Sequence, residues 1–253
     1  MWKLKNDNSE SVIKAKDQLN SDHRKCSYTL PKTAIVFFMS KATEYLTSNY
    51  QVEKQKELFP RFLSRTPIWI MKDENICFLD GGRGAPMAVD TIETLYALGV
   101  KNIISVGMCG AFSPLVEQGQ IIVPNTAFVE EGTSLHYYEE ITHSSPSSNL
   151  LNKANLLFNY KNYPIVSCDA IYRQTLKKEA LWRESGAVGV DMETSAIFSV
   201  SSYLGINSIT LLMVSDIHPL NENQEKWKWH MTLNDRYALV ENALKLAKEI
   251  NKN

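Results

Sequence analysis

The sequence offers no cysteine pair of the kind a metal site or a disulfide framework needs. Cys26, Cys77, Cys109 and Cys168 lie far apart, with no C-x-x-C motif and no histidine at ligand spacing, so reduced thiols are expected and no metal site is signalled. Charge of one sign is lacking too. With 27 Lys and Arg against 28 Asp and Glu, the formal charge is −1, which leaves no general electrostatic footprint for DNA or RNA, and no nucleic-acid partner is expected. No stretch approaches the ~20 apolar residues that span a bilayer, and the opening MWKLKNDNSE has no signal-peptide-like apolar run. No membrane partner is therefore expected, and the cytoplasm is the expected location. Internal repeats are absent, and the low-complexity stretch THSSPSSN at 142–149 reads as a surface loop.

What is present is an ordinary globular composition, 44% hydrophobic and 22% charged over 253 residues, enough for one large α/β domain or, second, two small ones. Residues 1–32 are rich in Lys, Asn, Asp and Ser and read as an extension outside the main core, leaving 33–253 as the main domain.

From there β-rich runs alternate with helical patterns. Strands are expected at Thr33–Met39, Ile68–Met71, Ile76–Leu79, Ile103–Val106, Gln120–Pro124, Ile165–Ser167, Gly186–Asp191 and Ser208–Val214. Several are apolar without alternation, the pattern of strands buried on both faces by helices. Pro86 suits a first helical turn and Gly99 a stop, so a helix is expected between them; another runs from Glu193 to Leu204 and ends at Gly205. Tyr237, Val240, Leu244 and Ala247 sit at helical spacing within a terminal amphipathic helix from about Asn234 to Ile250.

Five constellations could carry chemistry. The turn Gly81-Gly82-Arg83-Gly84-Ala85-Pro86 runs from a strand into a helix, where backbone N–H groups can hold an anion, although such a turn is also a simple tight connection and lacks the GxGxxG spacing of a dinucleotide fingerprint. Arg83 could add a bidentate phosphate contact or pair with a surface carboxylate. Ser105-Val106-Gly107-Met108-Cys109-Gly110-Ala111 lies at the carboxyl end of an apolar strand, where open α/β sheets bind ligands, but from spacing alone it reads rather as a packed crossover turn, with Met108 and Cys109 as core filling. Glu130 to Tyr138, with His136 among its carboxylates, hydroxyls and phenols, suits a polyhydroxylated ligand such as a sugar, or is a capped loop with a solvated edge. Asp191-Met192-Glu193 and Ser215-Asp216 place a carboxylate in each of two strand-end loops, as a hydroxyl acceptor and a proton donor around one ligand would require. Singly, Glu193 and Asp216 could equally be helix caps or dipole partners.

These segments, in this order, resemble those of the nucleoside phosphorylase-I superfamily: GGRGAP, SVGMCGAF, EGTSLHYY, CDAIYRQT, VDMETSAI and VSD. The resemblance runs from about Thr33 to Ile250, and EGTSLHYY and CDAIYRQT are most similar to its uridine-phosphorylase-like subgroup. It implies a three-layer α/β/α sandwich with a central mixed, mostly parallel sheet, a homo-oligomer with active sites near subunit interfaces, and cleavage of the bond between ribose and base. It further implies that Glu193 and Asp216 are catalytic, that Glu193, Met192 and His136 hold the ribose, and that Ile171, Tyr172, Ser215 and Asp216 hold the base.

One part of the family pattern is missing. Phosphorylases carry an Arg before the central turn and a Ser or Thr within it, where this chain has Ser105 and Met108, and Phe38-Met39-Ser40-Lys41-Ala42 does not match the early phosphate loop. Gly82, Arg83 and Gly84, with Lys41 or a neighbouring subunit's Arg61, are the candidates to hold phosphate instead. No Gln and Arg pair for reading uracil is evident. The expectation is phosphorolysis of a nucleoside to free base and sugar 1-phosphate, with no cofactor beyond inorganic phosphate. Phosphate-independent hydrolysis and a non-catalytic nucleoside-binding relative are the alternatives.

Overall fold

The computed structural model describes residues 9–224, 227–229 and 231–252; residues 1–8 of the expected extension lie outside the described residues. In chain order the strands are β1 (Thr33–Phe37), β2 (Glu53–Lys54), β3 (Ile68–Met71), β4 (Ile76–Asp80), β5 (Asn102–Ala111), β6 (Ile121–Ile122), β7 (Thr126–Glu130), β8 (His143–Ser144), β9 (Pro164–Cys168), β10 (Gly189–Asp191), β11 (Asn207–Ile217) and β12 (Lys228–Trp229). The helices are α1 (Ala15–Gln18), α2 (Ala42–Asn49), α3 (Ala85–Ala97), α4 (Ser148–Leu157), α5 (Leu176–Glu184), α6 (Thr194–Tyr203) and α7 (Leu233–Ile250), with 3-10 turns at Ser134–His136 and Ile171–Arg173.

The strands form one mixed sheet. Its centre is parallel: β4, β1, β5 and β11 run side by side, as do β10, β9 and β7. The edges β2, β3, β6, β8 and β12 are antiparallel.

Side-chain alternation explains the three layers. Along β1, Ala34 and Val36 point into a core shared with α3 and α6, while Ile35 and Phe37 point into one shared with α2, α4 and α7. All four are at most 1% exposed, and full burial of a large aliphatic or aromatic side chain contributes ~1.5–3 kcal/mol. The α/β/α architecture read from the non-alternating apolar strands is the one observed. Helix α7 begins with a capping box, Thr232 Oγ1 accepting from Asp235 N at 3.2 Å and Asp235 accepting from Thr232 N at 3.0 Å, an arrangement worth ~1 kcal/mol.

Two departures bear on function. The segment Ser105–Ala111 is strand throughout and not a turn, because β11 pairs with it as far as Ala111. The residues before β1 are also less detached than their composition suggests: Leu19 and Leu30 are buried in the α3/α6 core, and Gln18 donates to the Pro60 carbonyl at 2.8 Å.

Candidate active site

Strand β5 outruns β1 and changes neighbours as it goes. Val36 and Phe37 pair with Ser105 and Val106, but beyond the end of β1 the antiparallel β10 takes its place, with Val190 beside Gly110. At this change of partner, near the carboxyl ends of several parallel strands, where open α/β sheets gather ligands, lies a cavity of about 560 Å³. Phe38, Met108 and Trp229 contribute apolar wall, and four carboxylates, Glu179, Asp191, Glu193 and Asp216, face it with two basic groups, Arg83 and His218.

Glu193 stands at the N-cap of α6, 7% exposed, and Oε1 accepts the Gly84 N–H at 2.6 Å. Burial, with the negative charge of Asp191, pushes its carboxyl up to about 7, against the opposing effects of the Gly84 N–H and Arg83. The first turn of α6 is capped by Asp191, which accepts from Thr194 N at 3.0 Å and from Ser167 Oγ at 2.5 Å. The cap fixes where Glu193 points; both acidic residues of VDME line the cavity, Asp191 with its oxygens engaged by the α6 cap and Ser167.

Asp216 is aimed by a bulge. In the β5/β11 register Val214 pairs with Cys109 and Asp216 with Gly110, leaving Ser215 as the extra residue; a bulge of this kind re-aims the side chain that follows it. Asp216 Oδ2 accepts from His218 Nε2 at 3.1 Å and from Trp227 Nε1 at 2.5 Å, and Oδ1 accepts from the Ser215 hydroxyl. On the other side of the imidazole, His218 Nδ1 lies 2.7 Å from Glu179 Oε1. Burial alone would raise the Asp216 carboxyl, but its three donors hold it below the ordinary carboxylate range. For His218 burial opposes the charge, yet the hydrogen bonds to Asp216 and Glu179 and their charges raise it to about 9.

Of the residues singled out from sequence, Asp216, Glu193, Met192, Ile171, Tyr172, Ser215 and Arg83 line this one cavity. Ile171 and Tyr172 stand at its rim on a 3-10 turn, 53% and 95% exposed, and Ser215 Oγ is engaged by Asp216 and by the Cys109 carbonyl.

The remaining candidates are placed otherwise. Arg61 is 3% exposed and spends its donors on Ser64, the Asp80 carbonyl and Thr91, so its guanidinium is locked in its own chain and is not offered to any phosphate. The amides of Gly82 and Gly84, expected to cradle phosphate, already donate to Asp80 Oδ1 and Glu193 Oε1. His136 is exposed and does not line the cavity: Glu131 accepts from Thr133, Ser134 and Ser195 and folds the loop so that Ser134 is buried and His136 is turned out. Lys41 pairs with Glu44 at 2.8 Å and Ser105 with Thr210 at 3.0 Å, both away from the cavity.

Sequence reading missed Glu179, His218, Trp227 and Trp229. One signal was available for His218: residues two apart in a strand share a face, so Asp216 and His218 project together. Glu179 reaches them only because Thr175 caps α5, accepting from Lys178 N at 3.2 Å. Trp229 arrives by the pairing of β12 with β11, Asp216 opposite Trp229, and no local pattern announces that long-range return.

Among the described residues no helix is long and apolar enough to cross a membrane, and no group of three His, Cys, Asp or Glu is placed to hold a metal ion. The fold is similar to that of a uridine phosphorylase from Vibrio fischeri (TM-score 0.70, 25% identity, covering 87% of this chain and 90% of that one). A purine nucleoside phosphorylase from Toxoplasma gondii in complex with immucillin-H is similar in fold as well (TM-score 0.69, 21% identity, 87% and 90%). In sequence the chain is 30% identical over 152 residues to a DeoD-type purine nucleoside phosphorylase of Clostridium beijerinckii, covering 57% of this chain and 64% of the relative. It is 27% identical over 152 residues to the DeoD-type enzyme of Alkaliphilus metalliredigens, covering 57% and 65%. The matched stretches thus span less than two thirds of those relatives. Residues 32–248 match the sequence model of the phosphorylase superfamily, and the chain belongs to that family.

Proposed function

We propose that this chain is a pentosyltransferase that cleaves the N-glycosidic bond of a nucleoside, with a purine as the favoured base and inorganic phosphate as the acceptor. The observation that carries the reading is the pair of buried carboxylates on one cavity: Glu193 at the end of α6 and Asp216 at the bulge of β11. Departure of the base leaves an oxocarbenium-like sugar and puts negative charge on the base. An anionic acceptor for ribose hydroxyls on one side and a proton supply on the other are what that transition state needs. Met192 lies beneath the sugar, Ile171 and Tyr172 flank the base, and Trp229 closes the apolar wall. Family membership and the likeness to nucleoside phosphorylases support phosphorolysis.

Water is the second reading, favoured by a specific observation: Met108, with no donor for phosphate, faces the cavity, and Arg83 is the one arginine or lysine among the described lining residues. A homo-oligomer in the cytoplasm, needing no cofactor beyond phosphate, fits either reading, with residues 33–253 as the catalytic domain and 1–32 as an extension. The test is to incubate a panel of purine and pyrimidine nucleosides with and without phosphate and quantify free base and sugar product. Sugar 1-phosphate formed from purine nucleosides is the expected result; binding with no base released from any of them would sink the enzymatic reading.

A further inference from the structure

The reaction needs a proton for the departing base, and Asp216 is poorly placed to hold one. Its two oxygens already accept from Ser215, His218 and Trp227, so it is a hydrogen-bonded carboxylate. Of its three donors the one that can release a proton is His218, which lines the same cavity and stands between two carboxylates, 2.7 Å from Glu179 and 3.1 Å from Asp216. Room for this pair exists because residue 110 is glycine: a Cβ there would lie 2.4 Å from His218 Nε2 and 3.0 Å from Asp216 Oδ2. The bulge at Ser215, the cap that starts α5 and the missing side chain at 110 all converge on one imidazole.

We infer that Glu179, His218 and Asp216 form a proton relay in which His218 is the acid for the leaving base, an inference that rests on the nucleoside-cleaving reading above. As the bond from C1′ to the base breaks, its electron pair passes to the base, and C1′ bonds to the incoming oxygen nucleophile. The proton on His218 Nε2 moves to the Asp216 carboxylate as Asp216 passes a proton on to a ring nitrogen of the base, so Asp216 is a carboxylate both before and after the step. The step leaves neutral base, Asp216 as carboxylate and His218 as neutral imidazole, which solvent reprotonates. Glu179 acts as a positioning residue that holds the imidazolium. Among the described residues, the charged groups facing the ring are Glu179 from α5 and Asp216 from β11; β5 contributes Gly110, the residue 227 loop an indole, and Asp191, Glu193 and Arg83 stand elsewhere on the cavity wall.

The test compares wild type, His218→Gln and Glu179→Gln on inosine and on its N7-methylated cation, whose base leaves without needing a proton. His218→Gln should slow inosine by ~10²–10³-fold in kcat with KM little changed, and the methylated substrate by less than about fivefold, the usual span for losing a general acid. Wild-type activity should fall as pH rises through about 9, and Glu179→Gln should move that limb to lower pH. Equal slowing of both substrates, or a limb unmoved by Glu179→Gln, would overturn the relay. The titration of His218, followed by NMR without substrate, separates the two levels of inference. A wild type inert on both nucleosides overturns the nucleoside reading and the relay with it. An active wild type whose imidazole titrates near the ordinary ~6.5 overturns the relay alone.

Discussion

The backbone N–H of Gly84 donates to Oε1 of Glu193 at 2.6 Å, tying the glycine turn before α3 to the start of α6 across 109 positions of sequence. Gly84 has φ +82°, a conformation other residues seldom adopt, so the turn is built to present that amide. Its partner is a protein carboxylate. The turn therefore holds the Glu193 carboxylate in place rather than offering both of its glycine amides to a free anion.

Removal of that carboxylate should be felt in catalysis before stability. Glu193→Ala is expected to lose about ten- to a hundredfold in activity on ribosides, the worth of a charged hydrogen bond of ~1.5–3 kcal/mol, while circular dichroism stays native. Ribose hydroxyls need the ionised form, so kcat/KM should rise as pH rises through about 7. Stability runs the other way. The folded-state carboxyl sits above its ordinary 4.5, so its contribution is full below that value and is lost as pH rises through about 7. Glu193→Gln, which cannot ionise, should then have a higher Tm than wild type at pH 8 and no such advantage at pH 4.5. A wild-type turnover number in folded Glu193→Ala would remove this residue from the site.

Gly110→Ala probes the Asp216 side with a single methyl group. The added Cβ would meet His218 Nε2 at 2.4 Å, well inside contact distance, and must push the imidazole away from Asp216. Base release from purine nucleosides should fall by ~10²-fold, as for loss of an acid catalyst, although the substitution replaces no ionisable group. The imidazole titration should move down toward its ordinary range in the same protein. If both measurements match wild type, the cavity tolerates the methyl and the close packing argued for Gly110 is wrong.

How much of this was legible beforehand depends on the range of the interaction. The layered fold could be read because β1, β4, β5 and β11 are apolar without alternation, a local property with one main physical cause, burial on both faces. Glu193 and Asp216 could be read because their motifs are contiguous. By contrast, whether Arg61 faces ligand or core is decided by Thr91 and the Asp80 carbonyl, 30 and 19 residues away. Similarly, the reach of Glu179 to His218 spans 39 residues, and neither spacing nor composition encodes it.

Arg61 accordingly yields a stability prediction and not a catalytic one. Arg61→Ala deletes the charged donor to the part-buried Ser64 and Asp80 carbonyls and to the buried Thr91 hydroxyl, and a lost hydrogen bond to a charged group costs ~1.5–3 kcal/mol. Thermal melts should show a Tm lowered by several degrees, with phosphate KM and activity per folded molecule unchanged. A raised phosphate KM in a protein of unaltered Tm would restore Arg61 to an anion site.

The choice between phosphate and water turns on Met108 and Arg83. A phosphate dianion needs several donors around it, and Arg83 supplies a half-exposed guanidinium already near Asp80, 3.4 Å away, and the Gly82 carbonyl. Met108, on the cavity wall, presents a thioether where a donor is needed. If phosphate is nonetheless the acceptor, Arg83→Ala should abolish sugar 1-phosphate formation. Met108→Ser, which adds one hydroxyl donor, should then lower the phosphate KM by about two- to tenfold, the worth of a ~0.5–1.5 kcal/mol hydrogen bond. Water needs less room but does need a base, and with His136 turned outward the candidate is Glu193, whose carboxyl, raised to about 7 by burial, is matched to that task near neutral pH. Under that alternative base release would proceed equally in phosphate-free buffer with free sugar as product, Arg83→Ala would change little, and Met108→Ser would leave the rate indifferent to added phosphate. Product identification by chromatography in the four combinations of variant and buffer decides the matter: sugar 1-phosphate that depends on Arg83 sustains phosphorolysis, and free sugar formed without phosphate replaces it with hydrolysis.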